Sequence, residues 1–398
     1  MPEPVYVLLV GAGEINFGSV EGPWNHTLRL EKILGARLRV VALIDLDESR
    51  ANAAVAAKLA SPVANAYASC KLFPTVAEAA CSLLSDIPQI AIVGAPPFAR
   101  GTDTPGRDLE LQLARAFPRC ALFVEKPVSS GPEDACWRVA DALAKNGSVV
   151  GVGYMLRYLK AVQMIKDIIK ENRLLVMGIN ARYRMGQEDG EDSPSRTVSV
   201  QKLSDLQAWW DKTKSGGPII EQATHFCDLS RYFGGDAQLS SVVAHSVQAH
   251  EPPGRLSAQR FDEAPILPAH RLPRLTSATW KYAGGAVGTL THVIALHGNT
   301  YDTEFEVYAD GYRFKLVDPY GTPKLCIRRP GLAEEEVHVF TDDDPFYTEL
   351  ETFVDVVEGR SAVGRILSTY EDAIKTYELT WAIRRASERA AEGYATTQ

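Results

Sequence analysis

Five short apolar runs separated by helical segments constrain the first part of this chain more than any other feature. Val5-Tyr-Val-Leu-Leu-Val10 and Leu38-Arg-Val-Val-Ala-Leu-Ile44 are near-continuous. They lack the in–out alternation of a strand with one wet face, so they read as parallel strands buried on both faces. Ile87–Val93, Ala121–Val124 and Val149–Val152 repeat the pattern. Between them, Asp47–Leu59 is alanine-rich at helical spacing. Ser130-Gly-Pro-Glu133 opens a further helix with a cap-like serine and an acidic first turn, and Asn146-Gly147 closes it. Such β–α alternation defines an α/β domain with a doubly wound parallel sheet, expected over residues 1–152.

After about residue 153 the pattern changes. A helix over Leu159–Asn172 and a strand near Leu175–Tyr183 lead into a polar loop, Gln187–Ser204. From Leu239 to Phe340, strands follow one another without helices: Ser240–His245, Thr276–Tyr282, Val287–Ile294, Thr303–Tyr308, Tyr312–Leu316 and Val337–Phe340. That is a large, mostly antiparallel open sheet in an α+β second domain, residues 153–398. Glu251–Pro273, with five prolines, is expected as a surface loop or lid. Helices over Pro345–Glu358 and Tyr370–Ala391 end the chain, the last within reach of packing back on the first domain. Two domains is also the prior for 398 residues.

The net charge of -8 argues against nucleic acid as a partner, because phosphate binding needs a basic surface. No apolar run is long enough to span a bilayer, and Met1-Pro-Glu-Pro does not resemble a signal peptide, so no membrane partner is expected. Cysteines 70, 81, 120, 136, 227 and 326 have neither CxxC nor metal-type spacing. They suit buried thiols in a reducing compartment, and no metal site is expected. The expectation is a cytoplasmic enzyme with a small-molecule substrate.

Gly11-Ala-Gly13-Glu14-Ile15-Asn16 follows the first strand directly, where a glycine turn lets a pyrophosphate approach a helix N-terminus. Asn16 stands where the third glycine of the dinucleotide fingerprint belongs, and Phe17–Asn25 is too rich in Gly and Pro to continue a helix at once. Asp45 ends the second strand. Its carboxylate would bond the adenosine ribose hydroxyls and repel a 2′-phosphate, which favours NAD over NADP as cofactor. The insertion leaves Asp47 as a stand-in, and the competing reading of Asp45 is a solvated turn residue. Ala95 and Pro96, after the next strand, are expected to wall the nicotinamide.

Lys126, in Glu125-Lys126-Pro127, sits at the carboxyl end of a strand, where open α/β sheets bind ligands. There it can bond a substrate oxygen as hydride leaves the same carbon. A cis Lys126–Pro127 bond is one option. The competing reading is a strand-end lysine bathed in water. His225 is the candidate acid/base, since imidazole titrates near neutrality. Glu221, four residues earlier on what reads as one helix, shares its face and would orient the ring or bind a hydroxyl. The alternative for His225 is a structural histidine satisfied by Asp228. Tyr154, Arg157 and Trp210 are candidate substrate contacts, although the Trp209-Trp210 pair also suits a core. The other histidines, including His26 and His292, have no metal-like grouping and read as structural or surface.

In Gly11-x-Gly13, Glu125-Lys126-Pro127, Gly153-Tyr154-x-x-Arg157-Tyr158 and Gly216-Gly-Pro-x-x-Glu221-x-x-x-His225-x-x-Asp228, the chain resembles the glucose–fructose oxidoreductase/inositol dehydrogenase/MocA (Gfo/Idh/MocA) family of nicotinamide-dependent oxidoreductases. The resemblance implies an N-terminal Rossmann domain and a C-terminal domain built on a large open sheet. It also implies a Lys/Asp/His set in which Lys126 and His225 match and Glu221 stands where Asp is usual. Glu125 and Lys126 would belong to the cofactor site too. The family's histidine after the strand-four proline is replaced by Arg100 or lost. Sugars, polyols and their derivatives are the implied substrates, with a cyclic imine or a dihydrodiol still open. A catalytically silent nucleotide-sensing regulator is the competing function, and retention of both Lys126 and His225 argues against it. The apolar Val287–Leu296 strand suggests pairing with another subunit, as a homodimer or homotetramer.

Overall fold

The computed structural model describes residues 3–19, 22–186, 209–257, 262–296 and 301–395. The Gln187–Ser204 loop lies outside them. The chain divides into two compact units, Met1–Tyr158 with Asp344–Ile374, and Leu159–Asp343 with Lys375–Gln398.

The first unit holds a six-stranded parallel sheet in the order β3-β2-β1-β4-β5-β6. Its strands are β1 (Val5–Val10), β2 (Leu38–Ile44), β3 (Lys71–Phe73), β4 (Ile90–Val93), β5 (Ala121–Val124) and β6 (Val150–Val152). Val7 aligns with Val40 on one side and Ile90 on the other. Val7, Leu8 and Leu9 are fully buried, as the unbroken apolar run requires. The helices are α1 (Glu14–Phe17), α2 (His26–Leu34), α3 (Glu48–Leu59), α4 (Ala64–Tyr67), α5 (Val76–Ser82), α6 (Leu109–Ala116) and α7 (Glu133–Lys145). Side-chain caps start three of them: Asn25 accepts from Leu28 N–H, Asp47 from Arg50 N–H, and Thr75 from Glu78 N–H.

The expected serine cap on α7 is absent. Pro132 occupies the N-cap position without a side-chain bond. The serine at work is Ser129, whose hydroxyl accepts Gly131 N–H at 3.0 Å and donates to Arg100 O at 3.2 Å.

The alternation read from sequence stops at Val152, yet the Pro345–Val357 helix packs in this first unit. Leu350, Phe353 and Val354 join the core formed by β1, β2, β4 and β5. Phe353 meets Phe123 edge to face at 5.5 Å. Arg29 pairs with Asp344 at 3.0 Å, and Arg37 pairs with Glu358.

The second unit holds β7 (Val176–Gly186), β8 (Val243–Val247), β9 (Leu275–Lys281), β10 (Val287–Leu296), β11 (Tyr301–Ala309), β12 (Tyr312–Val317), β13 (Lys324–Arg328) and β14 (Glu336–Val339). Their order is β14-β13-β12-β11-β7-β10-β9-β8, antiparallel throughout except for the parallel β7–β10 pair. Its helices include α8 (Lys160–Glu171), α9 (Lys212–Ser215), α10 (Pro218–Glu221) and α11 (Thr224–Gly234). On β10, Leu290, His292 and Ile294 point inward and are buried. The apolar residues expected to meet another subunit therefore serve partly as the unit's own core. The opposite face carries a charged ladder in which Arg182 pairs with Glu304 at 3.0 Å and Lys315 with Glu304 at 2.7 Å. The described parts of Glu251–Pro273 are anchored rather than loose: Arg274, 2% exposed, donates to Glu263 Oε1 at 2.8 Å and to Gly254 O at 3.2 Å. All six cysteines are free thiols. No helix among the described residues is long and apolar enough to cross a membrane.

Because Phe353 fills the sheet core at 2% exposure, Phe353→Ala is expected to destabilise the protein by about 3–5 kcal/mol. Urea unfolding measures this, and an unchanged midpoint would contradict the placement of that helix.

Candidate active site

Gly11 leaves β1 at φ +94°, and a Cβ there would lie 3.1 Å from Gly94 C and Ala95 N. Only glycine combines that backbone with that approach. Nothing among the described residues comes within 4 Å of where a Cβ on Gly13 would sit, so the turn is open on the side a pyrophosphate needs. Asn16, fully buried, replaces the third fingerprint glycine by bonding the turn itself: Nδ2 donates to Gly11 O at 2.7 Å and to Val10 O at 3.1 Å. Glu14 and Ile15 begin the single turn of α1, with Glu14 exposed and Ile15 half-buried.

Asp45 is 9% exposed at the end of β2. Its Oδ2 accepts Ala12 N–H at 2.6 Å, which ties the ends of β1 and β2 together. Oδ1 accepts Asp47 N–H at 2.8 Å and the Arg50 guanidinium at 2.8 Å. Burial works against its charge, but Arg50 and the two backbone donors outweigh that, so the pKa lies below the ordinary carboxylate value. Asp47, the stand-in, is committed to capping α3. Arg50 was missed by sequence reasoning; its place one turn into the helix after Asp45 was the available signal.

Ala95 is half-buried and Pro96 exposed after β4. Arg100 is no cleft residue in the first unit: 1% exposed, it donates to Ala95 O at 2.9 Å and to Val128 O at 3.1 Å. It thus joins the loops that follow β4 and β5. Buried Glu110 accepts Gly101 N–H at 2.9 Å beside it. Burial raises the Glu110 pKa, with Arg100 acting against the rise. Glu125, 7% exposed, turns its carboxylate inward, with Oε1 2.6 Å from His26 Nε2 and Oε2 accepting Lys126 N–H at 3.1 Å. Lys126 itself is half-buried, and its bond to Pro127 is cis. Tyr154 and Arg157 are buried, and Arg157 engages Asp372 at 2.6 Å and Leu367 O.

In the second unit, Glu221 and His225 do not share one helix. α10 ends at Glu221 and α11 begins at Thr224. Gln222 N–H and Ala223 N–H both bond Pro218 O at 3.0 Å, which interrupts the i→i−4 ladder. The spacing of four therefore no longer fixes a common face. The Trp209 indole N–H donates to Glu221 Oε2 at 2.9 Å. Trp210 is buried, edge-on to Trp209 at 4.9 Å. The His225 ring stands 6.1 Å from the Tyr320 ring. Asp228, proposed as its structural partner, is fully buried and accepts the Thr376 hydroxyl at 3.0 Å. His292, 1% exposed, stacks on Tyr183 at 5.2 Å and lies 3.1 Å from Gln222 Oε1. Burial lowers its pKa to about 3, against the pull of Glu221. Its inward parity with Leu290 and Ile294 was the signal sequence reading passed over.

Residues 5–154 match the family model described as "Oxidoreductase family, NAD-binding Rossmann fold", and residues 157–312 match an oxidoreductase C-terminal domain. The class is thus an NAD-binding oxidoreductase. The chain belongs to the Gfo/Idh/MocA family of NAD(P)-dependent oxidoreductases. It is similar to two uncharacterized proteins of Schizosaccharomyces pombe. C12C2.04 is 44% identical, with 94% of each chain covered. UNK4.17 is 43% identical, covering 96% of this chain and 91% of that one. Among solved structures, the fold resembles the WlbA dehydrogenase of Bordetella pertussis, in complex with NADH and UDP-GlcNAcA, with TM-score 0.67, 14% identity and 97% of both chains covered. It also resembles the 3-ketoreductase KijD10 of Actinomadura kijaniata, in complex with NADP and TDP-benzene, with TM-score 0.67, 13% identity, and 96% and 98% covered.

His292 makes stability pH-dependent. Its folded pKa of about 3 lies below the unfolded 6.5, so between those values only the unfolded chain takes the proton. The contribution is complete above pH 6.5 and lost as pH falls, by at most about 1.4 kcal/mol per unit. Urea unfolding from about pH 4 to 5.5 should show a stability slope that is smaller by nearly one proton in His292→Gln. Equal slopes would contradict a neutral buried ring.

Proposed function

We propose that the chain transfers a hydride between NAD and a carbon bearing a hydroxyl or carbonyl group in a sugar, a cyclic polyol or a related small oxygenated molecule. The observation that carries this reading is the carboxyl edge of the parallel sheet, where the open Gly11–Gly13 turn, the ionised Asp45 and Lys126 each end a strand. The backbone of Glu14 and Ile15 would face the pyrophosphate. Asp45 would accept the adenosine ribose hydroxyls. Its lowered pKa keeps a negative charge that would repel a 2′-phosphate, which supports NAD over NADP. Ala95 and Pro96 would wall the nicotinamide. When bound, NAD supplies the hydride acceptor or donor.

The residues of this chain do the rest. The Lys126 ammonium bonds the oxygen on the reacting carbon and stabilises its negative charge as the carbon–hydrogen bond breaks. His225 takes the hydroxyl proton in oxidation and returns it in reduction. Glu221, held by Trp209, accepts from a second substrate hydroxyl. Arg157 acts from within, fixing the exit of β6 through Asp372 and Leu367, and Tyr154 is buried close to it in sequence. The Bordetella dehydrogenase carries UDP-GlcNAcA, and an Acidithiobacillus ferrooxidans relative by fold is a UDP-N-acetylglucosamine 3-dehydrogenase, which supports screening sugars first.

The test is NADH formation from NAD⁺ with glucose, myo-inositol and UDP-N-acetylglucosamine, and NADH oxidation with the corresponding ketones. Turnover is expected with one of these, reduced roughly 10²–10⁴-fold in Lys126→Ala and in His225→Ala. No turnover in protein shown to bind NADH, or equal rates in the variants, would defeat the reading.

A further inference from the structure

We propose that His26 is a positioning residue for Lys126, acting through the buried carboxylate of Glu125. The proposal rests on the reading above, in which Lys126 meets the reacting carbon's oxygen, and adds what holds that lysine in place.

The departure from the dinucleotide fingerprint brings His26 to the site. α1 ends after one turn at Phe17, and Asn25 caps a new helix whose first residue is His26. Leu30 and Leu34, one and two turns on, are buried in the sheet core and fix where that helix starts. The His26 ring, 1% exposed, stands edge to face with Phe123 at 5.3 Å. Its Nε2 lies 2.6 Å from Glu125 Oε1. Burial opposes the charge on Glu125, and the His26 hydrogen bond, with the nearby Lys126 and Arg100 charges, outweighs it and lowers the pKa. An ionised carboxylate only accepts, so Nε2 carries the proton and donates. Among the described residues, the buried Nδ1 has no hydrogen-bond partner, and the Glu125 contact is the ring's one hydrogen bond.

The second carboxylate oxygen accepts Lys126 N–H at 3.1 Å. Gly153 closes the other side, where a Cβ would lie 3.0 Å from Oε1 and 3.1 Å from Oε2. Held at both oxygens and packed against a glycine, the carboxylate cannot rotate. The peptide joining Glu125 to Lys126 is thereby fixed, and the lysine stem starts from a set position. Removing the donor leaves a buried charge short of a partner, which a carboxylate relieves by turning away and releasing Lys126 N–H. His26 thus governs where Lys126 points without touching substrate.

The test needs no substrate. Lysines of the full-length protein are reductively ¹³C-methylated, and the Lys126 resonance is assigned by its loss in Lys126→Arg. Lys58, held by Glu31 at 2.7 Å in the same unit, serves as the internal control. In His26→Ala, the Lys126 resonance is expected to move and broaden while Lys58 stays. His26→Gln, which keeps an N–H donor at similar reach, should restore the wild-type resonance. Should His26→Ala fail to fold, His26→Phe keeps the ring packing, lacks the donor, and carries the same expectation. An unmoved Lys126 resonance overturns the proposal. So does joint movement of Lys126 and Lys58 that Gln does not restore, which marks general loss of structure. Hydride transfer indifferent to Lys126→Ala would remove the functional reading while leaving this result standing, so the two failures are distinguishable.

Discussion

Parallel alignment of strands buried on both faces is the constraint on which the first unit depends. β1 pairs in parallel with β2 and β4, and β5 continues the same direction, so all these strands end on one edge. Gly11, Asp45, Ala95 and Lys126 are brought to that edge by nothing more than strand direction. Loops there would be loose without further bonds. Asp45 holds the turn after β1 through Ala12 N–H, Arg100 links the loops after β4 and β5, and His26 holds Glu125. Each such bond to a charged group contributes about 1.5–3 kcal/mol net, and breaking one leaves a buried charged group short of a partner at a larger cost. The edge is therefore rigid because its polar atoms are buried.

The fingerprint lacks its third glycine, and a hydrogen-bonded asparagine stands in that place. Asn16 supplies by hydrogen bonds the closure that a third glycine supplies by absence of a side chain. A Cβ on Gly94 would lie 2.7 Å from Asn16 Nδ2, so the close approach has moved to the neighbouring strand's exit. The inserted residues that delay α2 also deliver its first residue to Glu125.

Much of this was legible in the sequence, for physical reasons. β1, β2 and β5 were read to their end residues because an unbroken apolar run admits few other readings. β3 and β13 were missed; at three and five residues they carry too little pattern. The helix after Gly216 was read as one because composition does not show the break at Gln222. His26 had no local signal, since its partner lies 99 residues away. His292 had one, the parity of β10. The Pro345–Val357 helix has a legible apolar face, but no periodicity says which sheet that face will cover.

The most direct test of the account is a fluorescence titration of the wild type and Asp45→Ala with NADH and NADPH. The account predicts that the wild type binds NADH at least about tenfold more tightly than NADPH, and that Asp45→Ala loses most of that preference. Tighter binding of NADPH by the wild type, or NADH affinities equal in the two proteins, would contradict it.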